Sequence, residues 1–152
     1  MKWNKADLES YVKEKEYIDT LLVPIIPFQL SDETDLVKMA FQNEVLAIFL
    51  NELEKELKGR VMLTPNYHYL KSTKKEEEID RINTWIKDAN KQPFNHTFFF
   101  TFDASWKKEE QALDGTLLWL PGTHSGDVNS KEIATIIRDQ VEQVSELIRS
   151  YW

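Results

Sequence analysis

Thr97-Phe98-Phe99-Phe100-Thr101-Phe102 carries aromatic and β-branched side chains at every position. Successive residues of a strand point to opposite faces of a sheet, so a segment apolar on both parities must be covered on both sides. This stretch therefore predicts the central strand of a mostly parallel sheet with helices on both faces, and the rest of the chain is read outward from it.

Three further segments have strand character. Leu21 to Ile26 is a continuous apolar run, interrupted by Pro24 and closed by Pro27. Because proline donates no ladder hydrogen bond, Pro24 belongs at an irregular point or near an edge. Val61 to Leu63 is short and ends at Thr64-Pro65-Asn66, and the aromatic segment after it is read as a loop. Leu117 to Leu120 repeats the apolar character and stops at Pro121-Gly122.

Helical spacing fills the intervals. Asn4 with Asp7 caps a short N-terminal helix carrying Leu8, Tyr11 and Val12. Asp32 opens a long helix whose stripe runs through Leu46, Phe49, Leu50, Leu53 and Leu57 to Gly59. Ile79, Ile82, Ile86 and Ala89 define the next helix, and Ile133, Ile137, Val141, Val144 and Ile148 the last. Strands alternating with helices predict a small three-layer α/β fold with a four-stranded sheet. The segment from Asp103 to Gly115 is barely long enough for a parallel crossover, so a hairpin stays open there.

The 152 residues suit a single domain able to bury about 70% of its unfolded surface. With no cysteine, thiolate metal sites, disulfides and cysteine nucleophiles are excluded. The N-terminal residues lack a secretory pattern, and no apolar run approaches the roughly 20 residues of a membrane span, so a soluble cytoplasmic protein without membrane insertion is expected. Nineteen basic against 26 acidic residues give a net charge of −7, which repels phosphate backbones and makes nucleic acid an unfavourable partner.

In parallel sheets ligands gather outside the carboxyl ends of the strands. Asn66, His68, Asp103, His124 and Ser125 follow predicted strands, so a small-molecule or phosphometabolite site, or a hydrolase centre, would draw on them. Two imidazoles with a carboxylate are also a metal-ligand set, but no His-x-x-x-His pair occurs and ordinary loop histidines are the plainer reading, so neither metal nor cofactor is expected. The Pro121-to-Asp127 turn lacks a Walker lysine, and no Gly-x-Ser-x-Gly elbow is present, so no catalytic residue is assigned. His96 precedes its strand and lies at the opposite edge.

Five tryptophans are many for a chain of this length. Trp119 is expected to be buried mid-strand. Trp85 falls one position off the Ile82–Ile86 stripe and Trp106 sits in a charged linker, so both are expected at the surface, where aromatic residues favour a protein interface.

The opening Met1-Lys2-Trp3-Asn4, the segment Lys13-Glu14-Lys15-Glu16-Tyr17-Ile18-Asp19-Thr20 and the following Leu21-Leu22-Val23-Pro24-Ile25-Ile26-Pro27 resemble the YpiF-like family of spore-forming Gram-positive bacteria. The resemblance runs the length of the chain and implies an uncharacterised protein with no catalytic residues to carry over. It also implies a gene context near a menaquinol and cytochrome c oxidoreductase, although this chain has no haem-attachment motif and no iron–sulfur ligands. The leading expectation is a non-enzymatic interaction or regulatory domain, binding an unknown protein or a second copy of itself; the alternative is the small-molecule site at the sheet's carboxyl edge.

Overall fold

The structure, a computed structural model, describes residues 1–122 and 126–152. Helix α1 (Lys5–Glu14) leads through a short 3₁₀ turn to strand β1 (Thr20–Phe28), and α2 (Glu33–Glu56) then carries the chain to β2 (Val61–Leu63). A break of three residues separates β2 from β3 (Tyr67–Leu70), followed by α3 (Lys75–Ala89) and β4 (His96–Thr101). A run of 3₁₀ turns (Ala104–Ala112), β5 (Thr116–Trp119) and α4 (Lys131–Arg149) complete the order.

All the strand pairings are parallel. β1 is central, pairing with β4 on one side and with β2 and β3 in succession on the other, while β5 pairs with β4. The expected parallel registers are present, with Leu22 opposite Phe98 and Phe99 opposite Leu117. The segment after Asp103 is thus a crossover and not a hairpin. Gly115 permits its close return: a Cβ there would lie 2.7 Å from the Phe99 ring and 2.8 Å from the Thr97 carbonyl.

Among the described residues the sheet has five strands where four were expected, and the added one is β3. Its Tyr67-His68-Tyr69-Leu70 alternates buried and exposed positions, the period-two signature of a strand wet on one face. The preceding Thr64-Pro65-Asn66 marks only a break. β2 and β3 act as one interrupted strand along β1.

That break explains how a central strand tolerates proline. Thr64 N donates to Leu22 O (3.0 Å) and Lys71 N to Phe28 O (2.9 Å), so even-numbered residues of β1 direct their backbone groups toward β2 and β3. Pro24 shares this parity and faces the break between β2 and β3, so its missing N–H interrupts no regular strand pair on that side. Odd-numbered residues face β4, as shown by Asn95 N donating to Asp19 O (2.8 Å). Pro27 lies beyond the last β1–β4 pair, Pro24 with Phe100, and its missing donor coincides with the point where the two strands part.

Alternation along the strands divides the core in two. Leu22, Ile26, Phe98 and Phe100 meet the α2 and α4 stripes on one face, and Leu21, Val23, Ile25 and Phe99 meet α3, α1 and the 3₁₀ segment on the other. α1 and α2 begin at the expected caps, the Asn4 and Asp32 side chains accepting backbone N–H bonds, and the Ser130 side chain does the same at the start of α4. Among the described residues no helix is long and apolar enough to cross a membrane.

Phe99 and Phe100 are 0% exposed on opposite faces of β4. A carboxylate at either position would lose its hydration without a partner, at a cost of several kcal/mol against a total stability of about 5–15 kcal/mol for a domain of this size. Phe100→Asp is expected to abolish cooperative thermal unfolding followed by circular dichroism, whereas Phe100→Leu should retain it at a lower midpoint.

Candidate functional site

The crossovers leave β1 and β4 toward opposite faces: β1 runs into α2 on one, β4 into the 3₁₀ segment on the other. In doubly wound sheets this arrangement opens a crevice between the two strands at their carboxyl ends. A cavity of about 240 Å³ lies beside it, between the carboxyl end of β1, β3 and α2, lined by Ile26, Pro27, Leu36, Met39, Asn43 and His68 among others. A smaller one of about 40 Å³, reaching Phe102 and Asp103, shares Ile26, Pro27, Met39 and Asn43 with it.

The residues expected to form one site at this edge are distributed. Tyr67 and Tyr69 are buried with α3, so alternation in β3 turns His68 to the α2 side, where it lines the larger cavity. Asn66 is exposed in the break between β2 and β3 and lines neither cavity. His124 and Ser125 lie outside the described residues. Asp103 borders the smaller cavity, yet both its oxygens are engaged.

Asp103 is the N-cap of the 3₁₀ segment. Its Oδ1 accepts from Ser105 N (3.0 Å) and Ser105 Oγ (2.6 Å), and its Oδ2 accepts a short bond from the Tyr69 hydroxyl. Burial on its own would raise the Asp103 carboxyl, but the Ser105 and Tyr69 hydrogen bonds, with nearby Lys75, outweigh it and hold the group below its ordinary range. Tyr69 moves the other way: burial first, then the bond to Asp103, push its hydroxyl far above the usual phenol value. Lys75 Nζ sits 5.0 Å from the Tyr69 ring centre and 5.2 Å from that of Trp106. This assembly ties β3, β4 and the 3₁₀ segment together. Among the described residues no group of three His, Asp or Glu side chains is arranged to hold a metal.

The tryptophans depart from expectation in both directions. Trp106 is 0% exposed, packed edge-to-face on Tyr69 at 5.3 Å between ring centres, so it anchors the crossover and offers no face to a partner. Its charged neighbours are solvated while the 3₁₀ turn directs this one side chain inward. Trp119, expected in the core, is partly exposed, with Lys107 Nζ 4.1 Å from its ring centre. Trp85 is at the surface as expected, 40% exposed and edge-to-face with Tyr67.

Trp85 belongs to a larger feature. Between α1 and the C-terminal half of α3 runs a groove of about 570 Å³, lined by Trp3, Leu8, Tyr11, Met62, Trp85 and Phe94 together with several polar rim residues. Trp3 is 66% exposed at its mouth. Tyr11, stacked on Phe94, is only 9% exposed, and its hydroxyl has no hydrogen-bond partner. Burial pushes that hydroxyl above the usual phenol range, so it stays protonated. The groove lies over the amino half of the sheet, away from the edge that strand topology favours. Its signal in the sequence was Trp3 and Trp85, neither of which fits an apolar helical stripe.

Asp103 with a depressed carboxyl contributes stability that is present above its unfolded pKa, about 4, and is lost as pH falls through the lower folded value. Asp103→Asn is therefore expected to be less stable than the wild type at pH 7 in urea denaturation, with the difference closing in strong acid. Tyr69→Phe, which removes one donor to that carboxylate, should cost about 1–3 kcal/mol at pH 7.

The chain is 27% identical over 158 aligned residues to the uncharacterized protein YpiF of Bacillus subtilis (strain 168), an alignment spanning 100% of this chain and 98% of that protein. No solved structure matches. Residues 9–152 match the model of a family described as protein of unknown function (DUF2487), and the chain belongs to that family.

Proposed function

We propose that this chain is a cytoplasmic, single-domain, non-enzymatic interaction protein that receives an apolar segment of a protein partner in the α1–α3 groove. The observation that carries this reading is the groove itself: two exposed tryptophans, Trp3 and Trp85, stand over an apolar floor in which the Tyr11 hydroxyl is unpartnered. Large aromatic side chains that are part-exposed around a concave apolar surface are the usual anchors of protein interfaces. A partner carbonyl seated on the Tyr11 hydroxyl would satisfy a buried donor that the fold leaves free. The net charge of −7 argues for a partner that is not a nucleic acid. Against catalysis at the sheet edge stands Asp103, whose oxygens already serve Ser105 and Tyr69.

Affinity capture from the native cytoplasm, run in parallel with wild type, Trp85→Ser and the exposed-surface control Lys58→Ser, tests the reading. A complex held by wild type and Lys58→Ser is expected to weaken at least tenfold in Trp85→Ser, with the melting midpoint of the free variant close to wild type. Tyr11→Phe should weaken the complex while leaving the free protein as stable or more so, because it removes an orphaned hydroxyl. Sedimentation of the purified protein distinguishes a second copy from a foreign partner. Complexes insensitive to both substitutions, or none at all with neither self-association, would end the proposal.

A further inference from the structure

We propose that the cavity between the carboxyl end of β1, β3 and α2 is a second, independent binding site, taking a small, uncharged, largely apolar molecule that carries one hydrogen-bond donor. Its position is the first argument. It lies at the carboxyl end of β1, the edge where parallel sheets gather ligands, between β1, β3 and α2, and it adjoins the smaller cavity that reaches Phe102 and Asp103 after β4.

Its chemistry is the second. The larger cavity, about 240 Å³, has no Asp, Glu, Lys or Arg in its lining, which favours a neutral occupant. Ile26, Leu36 and Met39 give it apolar walls. Three polar side chains reach it, and they are not equivalent. Gln29 is fully engaged with the β1–α2 turn, its Oε1 accepting from Asp32 N (2.7 Å) and its Nε2 donating to Asp32 O (2.9 Å). His68 stands exposed on β3 at the rim. Asn43 lines both this cavity and its smaller neighbour, and its buried Oδ1 has no hydrogen-bond partner. An unsatisfied buried acceptor opposes folding unless something donates to it. A ligand N–H or O–H directed at Asn43 Oδ1, with its apolar body against Met39 and Ile26, meets that requirement.

Indole and benzothiophene are suitable probes, since they match in shape and differ in the N–H donor. Titrations followed by NMR are expected to show indole shifting the Met39 methyl and Asn43 side-chain amide resonances, with affinity roughly fivefold to tenfold above that of benzothiophene. In Asn43→Leu, which should melt no lower than wild type, that preference is expected to disappear. Equal affinity for the two probes in the wild type, a preference that survives in Asn43→Leu, or shifts confined to Leu8, Met62 and Phe94 of the α1–α3 groove would overturn the assignment. An Asn43 oxygen satisfied by water alone would likewise leave the Met39 methyl unmoved by indole. The groove is read separately through Trp85→Ser, which should leave the indole shifts at Met39 intact.

Discussion

Pro24 and Pro27 sit in the strand on which the sheet is built, and neither can donate a ladder hydrogen bond. A central strand with two missing donors is stable only if neither donor faces an acceptor that needs it. In β1 the parity of the ladder sends Pro24 toward the gap between β2 and β3 and Pro27 toward the space beyond the last β4 pair. The two discontinuities of the sheet therefore share a cause. One proline faces the break in the neighbouring strand, and the other falls where β1 and β4 part, at the wall of the small cavity that Asn43 shares with Phe102 and Asp103.

Around that strand the two cores are separately anchored. On the α2–α4 side the contact is helix stripe against sheet, with Phe49 tilted against Phe100 and Ile133 to Ile148 completing the layer. On the other side the packing includes polar groups that must be satisfied where they are buried: Tyr67 donates to Glu78 at 2.6 Å, Glu78 pairs with Arg81, and Tyr69 donates to Asp103. Such bonds fix orientation more than they add stability. They also hold Tyr67 beneath Trp85, so one wall of the α1–α3 groove rests on the same network.

Most of the architecture is legible in the sequence because the apolar pattern of buried elements is strong. Phe98 to Phe102 fixes the central layer, Val61 to Leu63 is a strand as it stands, and the helix caps at Asn4 and Asp32 fall where side-chain chemistry places them. β3 is obscured because Thr64-Pro65-Asn66 reads as an end when it is an interruption, although the alternation Tyr67-His68-Tyr69-Leu70 carries the strand signal. The site was less legible. Asp103 follows its strand as expected but acts as a cap, which sequence position alone cannot distinguish from a ligand-binding carboxylate. Trp106 is misjudged from its charged neighbours, because a single inward turn buries one side chain in an otherwise solvated run. Asn43 leaves no trace beyond a polar residue within a long helix; its meaning depends on what packs across from it.

Both binding readings depend on one structural claim, that β1 is paired on both sides and that its second neighbour is a strand broken opposite Pro24. Through-hydrogen-bond scalar couplings in the labelled protein measure this directly. The account predicts couplings from Thr64 N to Leu22 C′ and from Lys71 N to Phe28 C′, together with one from Asn95 N to Asp19 C′ on the β4 side. Couplings that instead place Tyr67 to Leu70 outside the sheet, or that pair β4 and β5 antiparallel, would contradict it.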